Sequence, residues 1–192
     1  LIYSEGEGVE QDDTKALAWL RLSANQGHAE AQYNLGAMYW TGLGAVQNVE
    51  EALKWYHLSA EQENANAQNN LGWMYLEGEG VDWDFDVGVK WLRSAAELGH
   101  ASSQNSMGLL YRDSELMPLD DAKAVAWFRL AAEQGHADAQ NNIGLMYYEG
   151  RGGSKDLGKA ASWFRLAAES GHAIAQNNTG EMFDNGFGVD ED

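Results

Sequence analysis

The sequence predicts an all-α fold, an α-solenoid of repeated antiparallel helix pairs, and three observations carry that prediction. First, the stretch from Ala124 to Tyr147 recurs through the 192 residues at a 36-residue period, with no insertion or deletion. The shift carries Trp127 onto Trp19, Trp55, Trp91 and Trp163, His136 onto His28, His100 and His172, Gln140 onto Gln32, Gln68, Gln104 and Gln176, and Gly144 onto Gly36, Gly72, Gly108 and Gly180. A fixed period in the range of roughly 20 to 50 residues marks an architecture of stacked repeats. Second, each period holds two runs of apolar residues spaced three and four apart, each stopped by glycine, which is the spacing of an amphipathic helix. Third, 44% apolar residues with eight Trp and eight Tyr suffice for a continuous core, and a single Pro argues against disorder.

Taken in order, the chain opens on the tail of a first-type helix, Leu1 to Glu5, followed by a second-type helix near Asp12 to Gln26. Pairs follow at Ala29–Thr41 and Val49–Gln62, Ala65–Glu77 and Asp84–Leu98, Ala101–Asp113 and Asp120–Gln134, and Ala137–Glu149 and Asp156–Ser170. A last first-type helix spans Ala173 to Asn185. In the first-type helix Ala139, Asn142, Ile143, Met146 and Tyr147 make one stripe, ended by Gly150-x-Gly152. In the second, Ala160, Trp163, Phe164 and Ala167 share a face, with Asp156 as N-cap and Gly171 as stop. Residues 1–192 are expected to form a single solenoid of about five repeats that starts and ends within a repeat, as in a fragment of a longer protein.

Gly36, Gly72, Gly108, Gly144 and Gly180 fall mid-helix, where glycine costs roughly 0.5–1 kcal/mol against alanine, so its recurrence implies a close approach of two helices. Ala16, Ala52, Ala124 and Ala160, with Gly88 at the matching place, are expected to face them, and the five repeated tryptophans are expected to be core. Two repeats depart from the pattern. Ser114-Glu115-Leu116-Met117-Pro118 replaces Gly-x-Gly and should take another backbone path, and Glu63-Asn64 replaces Gly-His, with Asn expected to accept the left-handed conformation.

The run Ala-x-Ala-Gln-Asn-Asn-Leu/Ile-Gly-x-Met-Tyr-x-x-Gly, followed by Ala-x-x-Trp-Phe-Arg-x-Ala-Ala-Glu-x-Gly-His, resembles the Sel-one-like repeat family, relatives of the tetratricopeptide repeats. The resemblance spans essentially the whole chain. It implies a right-handed superhelix whose first helices line a concave groove, and a non-enzymatic adaptor that holds protein complexes together. Some bacterial members carry paired cysteines as staples; this chain has no Cys and depends on packing alone.

No chemistry stands out from the pattern. His28, His100, His136 and His172 repeat at one inter-helix turn, a layer apart, too far for a shared metal ion at about 2 Å per bond, and read as structural. His57 is unrepeated and is expected on an exposed face without a partner. The acidic turns lack the ligand alternation of a calcium loop. Neither a phosphate-cradling Gly-Lys-Ser/Thr loop nor a Gly-x-Ser-x-Gly elbow is present, and Asn177-Asn178-Thr179 falls inside a packed helix. No catalytic residue, metal or cofactor is expected.

The net charge of −18 repels a phosphate backbone and disfavours nucleic acid and direct membrane insertion. A basic protein or peptide segment is the expected partner. Counted from the tetratricopeptide resemblance, the groove would present Tyr33 and Trp40; Asn69, Trp73 and Glu77; Asn105, Arg112 and Asp113; Asn141, Tyr148 and Glu149; and Asn177 and Glu181, with Glu30 and Asp138 at its edge. The four asparagines form an amide ladder able to bind a peptide backbone, and the aromatics offer anchors. Glu77, Asp113, Glu149, Glu181 and Asp184 face only Arg112, so the groove should be negative. The alternative is a structural module that self-associates or docks through its convex face or its ends.

Overall fold

The computed structural model describes residues 12–187, and all ten of its helices are of the predicted kind. They are α1 (Asp13–Asn25), α2 (Ala29–Thr41), α3 (Val49–Ala60), α4 (Ala65–Glu77), α5 (Phe85–Glu97), α6 (Ala101–Asp113), α7 (Asp121–Glu133), α8 (Ala137–Glu149), α9 (Leu157–Glu169) and α10 (Ala173–Asp184). The helix tail expected over Leu1 to Glu5 lies outside the described residues. By contacts the chain divides into two compact units, residues 1–98 and 99–192, each a stack of helix pairs. The repeat is therefore that of an α-solenoid with a 36-residue period.

Local chemistry sets each helix boundary. The even-numbered, first-type helices begin on His or Asn: the Nδ1 of His100, His136 and His172 accepts the backbone N–H three residues on, and Asn64 does the same through Oδ1. His28 is the N-cap of α2 without a side-chain bond. The second-type helices begin on Asp12, Asn48, Asp84, Asp120 and Asp156, whose side chains each accept an N–H at the third helical position. So the repeated histidines are helix caps. At the non-repeating turn Glu63 holds the positive φ, 62°, and Asn64 is the cap, so the left-handed residue precedes the asparagine rather than being it.

The first-type helices end in left-handed Gly42, Gly78 and Gly150, whereas Ser114 ends α6 in extended backbone, φ −67°. The altered turn path is as expected, yet it rejoins the frame: Asp120 N–H bonds to Tyr111 carbonyl at 2.8 Å, as Asp84 does to Tyr75 at 3.0 Å and Asp156 to Tyr147 at 2.9 Å.

The core is displaced by one residue from the tryptophan ladder. Only Trp55 is buried among the five; Trp19 is 63% exposed, and Trp91, Trp127 and Trp163 are half-buried. The buried positions are their chain neighbours Leu20, Tyr56, Leu92, Phe128 and Phe164. A helix turns about 100° per residue, and the inward direction falls on the neighbour because the mid-helix glycine opposes it. A Cβ on Gly36 would lie 2.8 Å from Tyr56 Cδ1, on Gly72 2.6 Å from Leu92 Cγ, on Gly108 2.5 Å from Phe128 Cδ1 and on Gly144 2.7 Å from Phe164 Cδ1. The small residues of the facing helix do close the same gap, as the Ala52 and Gly88 carbonyl oxygens show at 3.2 and 3.1 Å from those positions. Gly180 meets nothing within 4 Å.

Glutamines at one repeated position, buried except at Gln176, tie layers together. Gln32, Gln68, Gln140 and Gln176 donate through Nε2 to the carbonyls of Ala24, Ala60, Ala132 and Ala168, capping the end of the preceding helix. Gln62 and Gln134 then donate to the Oε1 of Gln32 and Gln104 at 2.7 Å each.

Candidate functional site

A cleft recurs between neighbouring first-type helices within each unit, and in two cases the aromatic residue of the second-type helix between them is its floor. In residues 1–98 its wall is Trp40 from α2 and Trp73, Met74 and Glu77 from α4, with Glu79 after the helix, Asn70 at the side and Tyr56 of α3 as floor; its volume is about 190 Å³. Two repeats on, Arg112, Leu145, Met146, Glu149 and Arg151 occupy the matching positions, with Asp113, in a cleft of about 240 Å³. A third, of about 160 Å³, is walled by Tyr148, Glu149, Glu181, Met182, Asn185 and Phe187 over Phe164. Thus the structure brings together Trp40 with Trp73 and Glu77, Arg112 with Asp113 and Glu149, and Tyr148 with Glu149 and Glu181.

The floor of the first cleft is well anchored. Tyr56 is buried beside Tyr33, ring centroids 5.9 Å apart, and burial pushes its phenol up to about 12, with Asn70 hydrogen bonding in the opposite sense. The same burial, with Glu30 nearby, raises Tyr33 above the usual phenol range. Both stay neutral. Trp73 is 40% exposed, and Glu77 and Glu79 are exposed, so indole and carboxylates face solvent across the opening.

The amide ladder is partly spent on the protein itself. Asn105 and Asn141 are buried, and their Oδ1 atoms accept from Asn142 and Asn178 at 3.0 and 2.9 Å, one layer on. Asn69 donates to Asn70 at 3.3 Å, and Asn177, exposed, donates to Glu181 at 2.9 Å. What remains for a ligand at Asn105 and Asn141 is the donor side of the amide. The edge residues are engaged too: Glu30 accepts from Asn64 at 3.0 Å and Asp138 lies 3.0 Å from His172 Nε2.

Arg112 is not the only cation at these clefts. Arg151 lies 2.7 Å from Asp121 and 3.8 Å from Asp113, and Lys155 stands 4.9 Å over the Tyr148 ring. The expectation of five carboxylates against a single arginine is therefore corrected for residues 99–192, where loop cations fold back over the acids. Arg112 itself pairs with Asp113 at 2.6 Å, donates to Asn142 at 3.1 Å and stacks 5.5 Å over Phe128. Only periodic counting onto the loop positions after the first-type helix could have found Arg151 and Lys155.

His57 also differs from expectation. It is half-buried, 3.3 Å from the Tyr75 hydroxyl and edge-on to Tyr75 and Trp91, and burial lowers its pKa, partly offset by Glu61. It stands where Arg129 donates to Tyr147 at 2.8 Å and Arg21 donates to Tyr39, so its place was visible in the period.

The whole chain matches the Sel1 repeat model, at residues 1–28, 29–64, 65–100, 101–136, 137–172 and 173–192. It belongs to the Sel1 repeat family. Among solved structures, c5321 of uropathogenic Escherichia coli, a protective antigen with this repeat fold, is 39% identical, with a TM-score of 0.92 over 100% of this chain and 41% of its own. A Sel1 repeat protein from Oxalobacter formigenes is 33% identical, with a TM-score of 0.89 over 94% of this chain and 74% of its own. The Pseudomonas aeruginosa immunity protein Pa5087, at 22% identity and a TM-score of 0.54 over 84% of this chain and 60% of its own, shares the fold. No curated protein matches the chain. Sel1 repeat proteins generally mediate protein–protein interaction, and their fold is typically a non-catalytic scaffold. No helix among the described residues is long and apolar enough to cross a membrane.

Proposed function

We propose that this Sel1 repeat chain is an adaptor whose first-type helices bind an extended, net-basic segment of a partner protein. The observation that carries the reading is the cleft of Trp40, Trp73, Glu77 and Glu79, where a half-buried and an exposed indole stand beside carboxylates that form no ion pair among the described residues. Aromatic anchors supply the desolvated contact area typical of binding hot spots, and the acids select the sign of the ligand. In residues 99–192 the cleft of Tyr148, Glu149 and Glu181, with Asn177 beside Glu181, carries the same reading, and Arg112 with Asp113 sets a locally balanced patch. The proposal takes residues 1–192 as one solenoid domain, supported by the unbroken 36-residue register. It assigns no catalytic role to any residue.

A second reading has its own observation. Leu22 and Leu58 in residues 1–98, and Leu130 and Leu166 in residues 99–192, recur on the second-type helices with 54%, 38%, 46% and 43% exposure, an apolar pair in each unit that a second copy or another domain would cover. The test is titration of net-basic and net-acidic extended peptides against the protein and against Trp73→Ala, with the oligomeric state followed in parallel. Basic peptides should bind the parent and bind Trp73→Ala at least about tenfold more weakly, since a truncated hot spot costs upwards of about 1–2 kcal/mol. Equal binding of both peptide classes, or concentration-dependent dimers lost on Leu130→Glu, would move the function to the second face.

A further inference from the structure

The three clefts are copies of one site, and comparing them shows what the first one lacks. Trp40, Tyr56, Asn70, Trp73, Glu77 and Glu79 correspond, two repeats on, to Arg112, Phe128, Asn142, Leu145, Glu149 and Arg151. In the second cleft Arg112 is part of the wall: its guanidinium lies over the Phe128 ring at 5.5 Å, donates to Asn142 at 3.1 Å and pairs with Asp113 at 2.6 Å. Arg151 joins from the loop at 3.8 Å from Asp113, so two arginines balance Asp113 and Glu149. In the third cleft Lys155 covers the wall ring of Tyr148 at 4.9 Å, and Gln47 stands at the matching place beside Trp40.

The first cleft keeps the aromatic floor and the side amide and has no cation among its described lining residues. Trp40 replaces the arginine in the wall of the second cleft, Glu79 replaces its loop arginine, and Trp73 replaces a leucine, so the wall holds two indoles and two carboxylates. Each change adds a feature that attracts a cation: indole is the strongest cation–π face, and a carboxylate pairs with a guanidinium in a fork.

We propose that this cleft is a receptor for a single arginine side chain of the partner segment, its guanidinium seated against the rings and carboxylates of the wall as that of Arg112 is seated against Phe128 and Asp113. The proposal rests on the basic-segment reading above and names its anchor. Arginine is favoured over lysine because a planar, weakly hydrated guanidinium stacks on rings and meets carboxylates bidentately, which a compact ammonium does not. The volume of about 190 Å³ suits one head group, being below the roughly 300–1,000 Å³ of sites for drug-sized ligands.

The experiment titrates two probes: N-acetyl-arginine amide, and a net-basic extended peptide with one arginine, each against its citrulline counterpart, which keeps the shape and removes the charge. The indole N–H signals of Trp40 and Trp73 are followed by NMR, and affinity by calorimetry. Two variants write the second cleft's own residues into the first, Trp40→Arg at a half-buried position and Glu79→Arg at an exposed one. Expected are shifts of both indole signals with either arginine probe, at least a tenfold loss with citrulline, and a similar loss in both variants, each retaining the parent's helical circular dichroism. If the peptide binds but citrulline and both variants leave its affinity unchanged, the arginine receptor falls while the basic-segment reading stands. Acetyl-arginine amide shifting the indoles while no basic peptide binds would support the receptor and overturn that reading. Silence of both probes overturns both.

Discussion

At Gly144 a methyl group would stand 2.7 Å from the Phe164 ring, while at Gly180, the same position one repeat later, it would meet nothing within 4 Å. The two substitutions should therefore act in opposite directions. Gly144→Ala overpacks a well-filled core and should cost about 2 kcal/mol, and Gly180→Ala, relieved of glycine's helix penalty, should gain about 0.5–1 kcal/mol. Urea-unfolding midpoints of the two variants check this, and a destabilised Gly180→Ala would refute it. His100 offers a second test at single-residue resolution. Its Nδ1 accepts the Ser103 N–H as helix cap, and burial first, then the neighbouring His136, lowers its pKa from 6.5. The neutral ring is the folded form, so as pH falls through 6.5 the unfolded chain takes up the proton first and stability declines, levelling only below the folded value. Asn64 performs the same cap without titrating. His100→Asn should hold stability near neutral pH and flatten its slope between about pH 7 and 5, read from urea midpoints against pH. A slope identical to the parent's would remove His100 from the acid response.

The helices themselves follow from local signals, since Asp or Asn starts each described second-type helix and a left-handed glycine stops α2, α4 and α8 without help from the rest of the chain. Their contacts with one another are less uniform. Gln32 and Gln104 have their Oε1 satisfied by Gln62 and Gln134, whereas the Oε1 of Gln68 and Gln140 is buried without a hydrogen bond. The residues at the matching donor place are Leu98 and Ser170, which cannot supply an amide. Ser170→Gln should complete the bond at Gln140 and raise stability by about 1 kcal/mol, the ordinary net worth of a hydrogen bond that relieves a buried acceptor. Thermal unfolding of Ser170→Gln measures it; an unchanged midpoint would mean that the inter-layer amide pair contributes nothing. The helix boundaries were thus legible in the sequence nearly to the residue, because capping is a local matter. The inward face was not: the period marked Trp19, Trp55, Trp91, Trp127 and Trp163 and their neighbours alike, and only the packed glycine opposite selects Leu20, Tyr56, Leu92, Phe128 and Phe164.

A chain with a net charge of −18 attracts cationic ligands over its whole surface, so the affinity of a basic peptide should fall severalfold between about 0.05 and 0.5 M salt as the Debye length shortens from about 14 to 4 Å. Anisotropy titrations at the two ionic strengths test this, and salt-independent binding would place the energy in apolar contacts alone. The charge is not evenly expressed at the clefts, however, since Arg112, Arg151 and Lys155 turn inward in residues 99–192 while the cleft of Trp40 and Trp73 keeps its acids unpaired among the described residues. By itself the sequence determined the repeat, its period and the bounds of the ten described helices, because all of these depend on spacing along the chain. The tertiary structure decided what each position meets, burying Asn105 and Asn141 in inter-layer bonds, partnering His57 with Tyr75, and tying Arg112 to Asp113 and Asn142 while the cleft at Trp40 has no cation among its described lining residues. Those outcomes depend on which long side chain reaches which neighbour one layer away, a distance in space that periodicity along the chain does not encode.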